Sequence, residues 1–180
     1  MWMQGTNDFS RSLAVPAAFD FVRHVLGGEA AVREYNSTLV RAGAALCARA
    51  WGTGTLLPAA AHPALCAPFL VPVRSPLSLR RLLRVPAGDA DALSDEALAD
   101  AIDADGAFNE SCARLIFASS HVYAQCVWWR NDGRGGGLYV RLSAQVYNDL
   151  ADYEALARGI AALARTPPPP RGTPWSIGRY

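Results

Sequence analysis

Near the C-terminal end of this chain, LYVRLSAQVYNDLADYEALARGI runs from Leu138 to Ile160 and opens with strict alternation. Leu138, Val140, Leu142, Ala144 and Val146 fall on one side of a period-two pattern. Tyr139, Arg141, Ser143, Gln145 and Tyr147 fall on the other. Such a pattern predicts a strand with one covered and one polar face. An arginine on that polar face offers a fixed fork of donors that matches a carboxylate bidentately. Ser143, Gln145 and Asn148 would line the same surface. A solvated arginine on an open sheet face explains the spacing equally well. A second candidate lies near the start, in QGTNDF. Gly5 lets the main chain approach an anion closely and Thr6 adds a hydroxyl, so the pair could hold a phosphate; a plain turn is the alternative.

Other chemistry has less support. All 17 basic residues are arginine, so no side-chain amine can form a Schiff base with a carbonyl cofactor. Cys47, Cys66, Cys112 and Cys126 contain no CxxC pair, and His24, His62 and His121 are scattered. Buried free thiols and no metal site are the expectation.

These candidates need a scaffold. At 180 residues, 51% hydrophobic and 18% charged, the chain suffices for one core. A net charge of +1 gives no electrostatic case for nucleic acid or an acidic membrane as partner. No apolar run reaches the roughly 20 residues that span a bilayer. MWMQGTNDFSRS lacks the basic start and apolar middle of a secretory signal, so an intracellular, cytoplasmic protein is expected.

Along the chain, a first helix is expected to begin near Pro16, with Val15, Phe19, Val22 and Leu26 as its stripe and Gly27-Gly28 as its end. A second runs from Glu29 to Trp51 on the stripe Val32, Tyr35, Leu39, Ala42 and Leu46, with Gly52 capping it. Cys66 to Val73 reads as a strand that Pro68 and Pro72 confine to an edge. After a connector, Ser94 caps a helix ending near Asp105-Gly106, and ESCARLIFASS forms another. Val122 to Trp129 is a strand, NDGRGGG a hairpin turn, and a closing strand starts at Leu138. Asn148 or Asp149 caps a last helix whose stripe is Leu150, Tyr153, Leu156, Ile160 and Leu163. The tail TPPPPRGTPWSIGRY is polyproline-like and unpacked, with a ligand for a proline-reading module as the alternative. The order predicts an α+β fold, a small, mainly antiparallel sheet covered on one face by helices.

WMQGTNDFSRSLAVPAAFDF and LYVRLSAQVYNDLADYEAL, with GGEAAVREYN and the long helix between them, together resemble the class V aminotransferase family of pyridoxal-phosphate (PLP) enzymes. Within it they are similar to the isopenicillin N epimerase-like branch, which includes plant-type L-cysteine desulfhydrases. The resemblance covers roughly residues 1–57 and 120–165; the middle, about 75–118, does not align.

It implies the C-terminal small domain of a fold type I PLP enzyme, preceded by a long inter-domain helix. Residues 1–28 would belong to the large-domain and dimer-interface region, 29–165 to the small domain, and 166–180 to a disordered tail. Gly5 and Thr6 would reach the cofactor phosphate across a homodimer interface, and Arg141 would bind the α-carboxylate of an amino acid such as L-cysteine. The family's PLP lysine, the aspartate on its pyridine nitrogen and the aromatic on its ring have no counterpart here, and Asn7 stands where many relatives have arginine. The expected activity is that of a carbon–sulfur lyase or epimerase, with this chain inactive alone. The alternative is a non-catalytic interaction or regulatory protein that binds a homologue's dimer interface.

Overall fold

The computed structural model describes residues 10–56, 69–77, 97, 100, 108–129 and 136–166. Its elements are α1 (Ser10–His24), α2 (Glu29–Trp51), β1 (Leu70–Arg74), α3 (Phe108–Ser120), β2 (Gln125–Trp129), β3 (Gly137–Ser143) and α4 (Leu150–Arg165). The strands form one antiparallel sheet in the order β1-β3-β2, so the fold is α+β as expected.

Alternation in β3 divides the sheet into two unlike faces. Val73, Val140 and Cys126 stand side by side across the three strands, and all are buried. With Leu138 and Leu142 they meet Val40 and Cys47 of α2, Ile116 of α3 and Leu156 and Ile160 of α4 in one core. Each such aliphatic side chain taken out of water contributes about 1.5–3 kcal/mol. On the other face Pro72, Arg141 and Gln125 align, and Arg141, Gln125 and Ser143 are exposed. Tyr139 shares that face yet is only 3% exposed, so the face is open at its Arg141 end and closed at its Tyr139 end.

β1 is an edge strand, as its proline requires. The Leu56 N–H donates to Pro72 O at 3.0 Å and the Arg74 N–H to Gly54 O at 2.8 Å, so both residues turn their main chain outward. The donor that Pro72 lacks is therefore missing from the edge and not from the ladder with β3.

Several boundaries and stripes differ from expectation. α1 starts at Ser10 and carries Pro16 inside it; the ring deletes one donor of a helix whose flanking turns continue. Its expected stripe is only partly covered: Phe19 is 70% exposed, Val15 is exposed, and Val22 and Leu26 are half-buried, while Leu13 outside the stripe is exposed as well. In α2 the buried face is Asn36, Val40, Gly43, Ala44, Cys47 and Trp51. Small residues there let α4 approach, which displaces Val32, Leu39 and Leu46 to a half-buried flank and leaves Tyr35 and Ala42 exposed. In α4, Tyr153, Leu156, Ala157, Gly159 and Ile160 are buried while Leu150 is exposed.

Other features agree. Gly27 and Gly28, with φ of 79° and 93°, follow the end of α1, and left-handed Gly52 caps α2. α3 covers ESCARLIFASS. Cys47, Cys112 and Cys126 are buried free thiols. Of the helix expected after Ser94, Ala97 and Asp100 are described, and both are helical. Gly5, Thr6, Cys66, most of NDGRGGG and the proline-rich tail lie outside the described residues.

Candidate functional site

The strand expected to reach Tyr147 stops at Ser143, and the stop shapes the site. Gln145 and Asn148 close a turn on themselves. The Asn148 N–H donates to Gln145 O at 3.0 Å, and the Gln145 N–H donates back to Asn148 Oδ1 at 3.0 Å. Asn148 Nδ2 then donates to Asp152 Oδ2 at 3.0 Å. Asp149 is the N-cap of α4: its carboxylate accepts from the N–H groups of Ala151 and Asp152, and the Asp152 carboxylate accepts from the Asp149 N–H. This reciprocal capping box fixes where the chain turns from sheet into helix. Val146, expected to point inward, is 38% exposed because it lies in the turn.

Two phenols tie this corner to the helices. Tyr35 of α2 donates to Asn148 O at 2.7 Å, and Tyr153 of α4 donates to Ser143 O at 2.7 Å. Burial foremost, then the charges of Asp152, Cys47 and Tyr35, pushes the Tyr153 phenol up to about 12, so it remains a donor at neutral pH.

Between the end of β3, the approach to β2 and the start of α4 lies a cleft of about 430 Å³. Arg141, Ser143, Gln145 and Asn148 all line it, so the four residues expected on one surface do come together. His121, Tyr123, Tyr147 and Asp152 complete its polar part; Leu142, Tyr153 and Leu156 are its less polar floor. Sequence periodicity missed His121 and Tyr123, because they arrive from another part of the chain. The signal that could have found them is the hairpin, which sets the residues before β2 beside the end of β3.

Arg141 is exposed, and none of the ion pairs or side-chain hydrogen bonds among the described residues uses its guanidinium. Its fork is therefore not committed to a structural acid among the described residues. Asp152, the acid of the cleft, is already engaged by Asn148 Nδ2 and the Asp149 N–H. At the rim, Tyr123 donates to Glu110 Oε2 at 3.1 Å and Arg114 Nε donates to Glu110 Oε1 at 2.8 Å. Those bonds, Arg114 first, hold the Glu110 carboxyl below its ordinary range, and the bond to Glu110 raises the Tyr123 phenol in turn. The arrangement can bind a carboxylate and orient what it carries. Among the described residues no group of three histidine, cysteine or acidic side chains could hold a metal ion. No helix there is long and apolar enough to cross a membrane.

No family model matches the chain. It is similar to a rice (Oryza sativa subsp. japonica) protein named "Putative L-cysteine desulfhydrase 1", at 30% identity over 159 residues. That alignment takes in 88% of this chain and 30% of the relative, so the chain spans under a third of the curated protein it matches. The resemblance seen in the sequence motifs implies PLP as the cofactor of the complete enzyme. A covalently held PLP needs an amine, and the sequence has no lysine. The residues present thus fit a carboxylate and do not fit a covalently anchored cofactor.

Proposed function

We propose that this chain is the substrate-carboxylate domain of a PLP-dependent, L-cysteine desulfhydrase-like lyase, with Arg141 as the residue that grips the amino acid. One observation carries the reading: Arg141 stands uncommitted in a polar cleft, beside Ser143, Gln145 and Asn148, in a chain similar to a protein named for that activity. A bidentate grip on the α-carboxylate fixes the orientation of the Cα substituents, which is the positioning any reaction at Cα requires. The anchoring amine comes from outside these 180 residues, and Gly5-Thr6 is the proposed phosphate contact toward a second subunit. Isopenicillin N epimerase-like chemistry would use the same grip.

The test is binding of L-cysteine to the 180-residue chain, followed by calorimetry or amide spectra, with L-cysteinamide as control. The acid should bind and the amide should not. Arg141→Gln should weaken binding roughly tenfold or more while leaving the unfolding midpoint unchanged, the size expected when a charge-assisted pair is lost. Equal binding of acid and amide, or an unaffected variant, overturns the reading.

A second reading is supported by α1. Its exposed Leu13, Phe19, Phe21 and Val25 suit an interaction or regulatory protein that docks on a homologue's dimer interface. Concentration-independent sedimentation of a mixture with such a homologue would exclude it.

A further inference from the structure

The main chain of β3 has a definite polarity. The Ala144 N–H donates to Phe69 O at 3.0 Å and the Ser75 N–H donates to Leu138 O at 2.8 Å, which assigns the even-numbered groups of β3 to the β1 side. The N–H and C=O of Arg141 and Ser143 therefore face β2. Arg141 pairs with Gln125, and the β2–β3 ladder ends at that pair. Tyr123 would be the next partner, opposite Ser143, but the strands have parted.

The parting is built in. His121 takes a left-handed turn, φ 57°, at the end of α3. Ser120 is pressed against Gly159 so closely that a Cβ on that glycine would lie 2.6 Å from the serine Cβ. Tyr123 sends its hydroxyl to Glu110 on α3. Residues 121–124 thus follow α3 and leave the end of β3 open to the cleft that Tyr123, Arg141 and Ser143 line. Of the two main-chain groups at Ser143, the C=O accepts the Tyr153 hydroxyl. The N–H has no acceptor among the described residues.

We propose that the Ser143 main-chain N–H is a ligand-binding donor that shares the substrate carboxylate with the Arg141 guanidinium, and that Tyr153 is its positioning residue. The inference rests on the reading of Arg141 given above and deepens it. An N–H and a C=O of one extended residue point the same way, so a carboxylate approaching the donor would also meet the carbonyl lone pairs. The Tyr153 hydroxyl occupies those lone pairs, removes the repulsion and fixes the Ser143 backbone. The selectivity that follows is for a planar carboxylate reached from the sheet edge, one oxygen on a guanidinium and one on a peptide donor.

L-alanine is a suitable inert probe, with L-alaninamide as control, and signals of the Ser143 amide and the Arg141 side chain are followed by nuclear magnetic resonance. With L-alanine the Ser143 amide proton should move downfield and Arg141 Nε–H should respond; with the amide neither should. Tyr153→Phe keeps the ring in place and removes the hydroxyl. It should weaken L-alanine roughly three- to tenfold and abolish the Ser143 shift, with Arg141 still responding. A response at Arg141 without one at Ser143, or a Ser143 shift equal for acid and amide, overturns the inference and spares the assignment of Arg141. No response at either residue overturns both.

Discussion

The ring of Tyr153 occupies the space in which a side chain at Gly43 would begin. A Cβ built on Gly43 would lie 2.5 Å from two ring carbons. α2 and α4 therefore touch through a glycine and an aromatic, and the same tyrosine hands its hydroxyl to Ser143 at the cleft.

Gly43→Ala should consequently destabilise the protein although alanine is the better helix former. Displacing a buried ring in a packed core costs about 1–3 kcal/mol, more than the roughly 1 kcal/mol that the propensity change returns. Chemical denaturation reads the difference. Adding Tyr153→Leu should restore part of the loss, because the two effects arise from one contact and are not additive.

The Tyr153 phenol should titrate late, its pKa pushed up to about 12. Its folded value lies above the ordinary 10, so the stabilisation it reflects is complete below pH 10 and disappears as pH rises toward 12. Ultraviolet difference absorbance should show the late phenolate, and Tyr153→Phe should remove that step alone. A Tyr153 step at the ordinary 10 would contradict the burial of its phenol.

Cys47 should resist alkylation. It is buried under α4, its thiol lies 3.7 Å from Tyr153 O, and burial pushes its pKa up to about 12. Thiolate is the reactive form, so at pH 8 almost none is present. Peptide mapping after a thiol reagent should find Cys47 unmodified in the folded chain and modified after denaturation. For Cys126, the hydrogen bond with Cys112 and then burial act in the same direction.

What was legible in the sequence is what depends on local chemistry. Gly52 and Asp149 mark helix ends because a left-handed cap and a side-chain acceptor each need their residue type. The alternation through Ser143 exposed the two faces of β3 and hence the company Arg141 keeps. The periodic count failed where packing chose differently from hydrophobicity. The buried face of α2 contains Asn36, Gly43 and Ala44, which a search for large apolar residues passes over, because close helix approach rewards smallness. The strand end was hidden because Gln145 and Asn148 close their turn through an asparagine side chain while the alternation runs on. Tyr123 and His121 entered the site through tertiary pairing, to which a linear pattern is blind.

The outer border of β1 carries a last consequence. Pro72 has no N–H, its carbonyl is taken by Leu56, the Arg74 N–H is taken by Gly54, and the Arg74 carbonyl accepts the Thr53 hydroxyl at 2.7 Å. Along Pro72–Arg74 every outward group is accounted for by the chain's own loop. A strand from another molecule finds nothing on that stretch with which to register, and so the sheet cannot template polymer growth there.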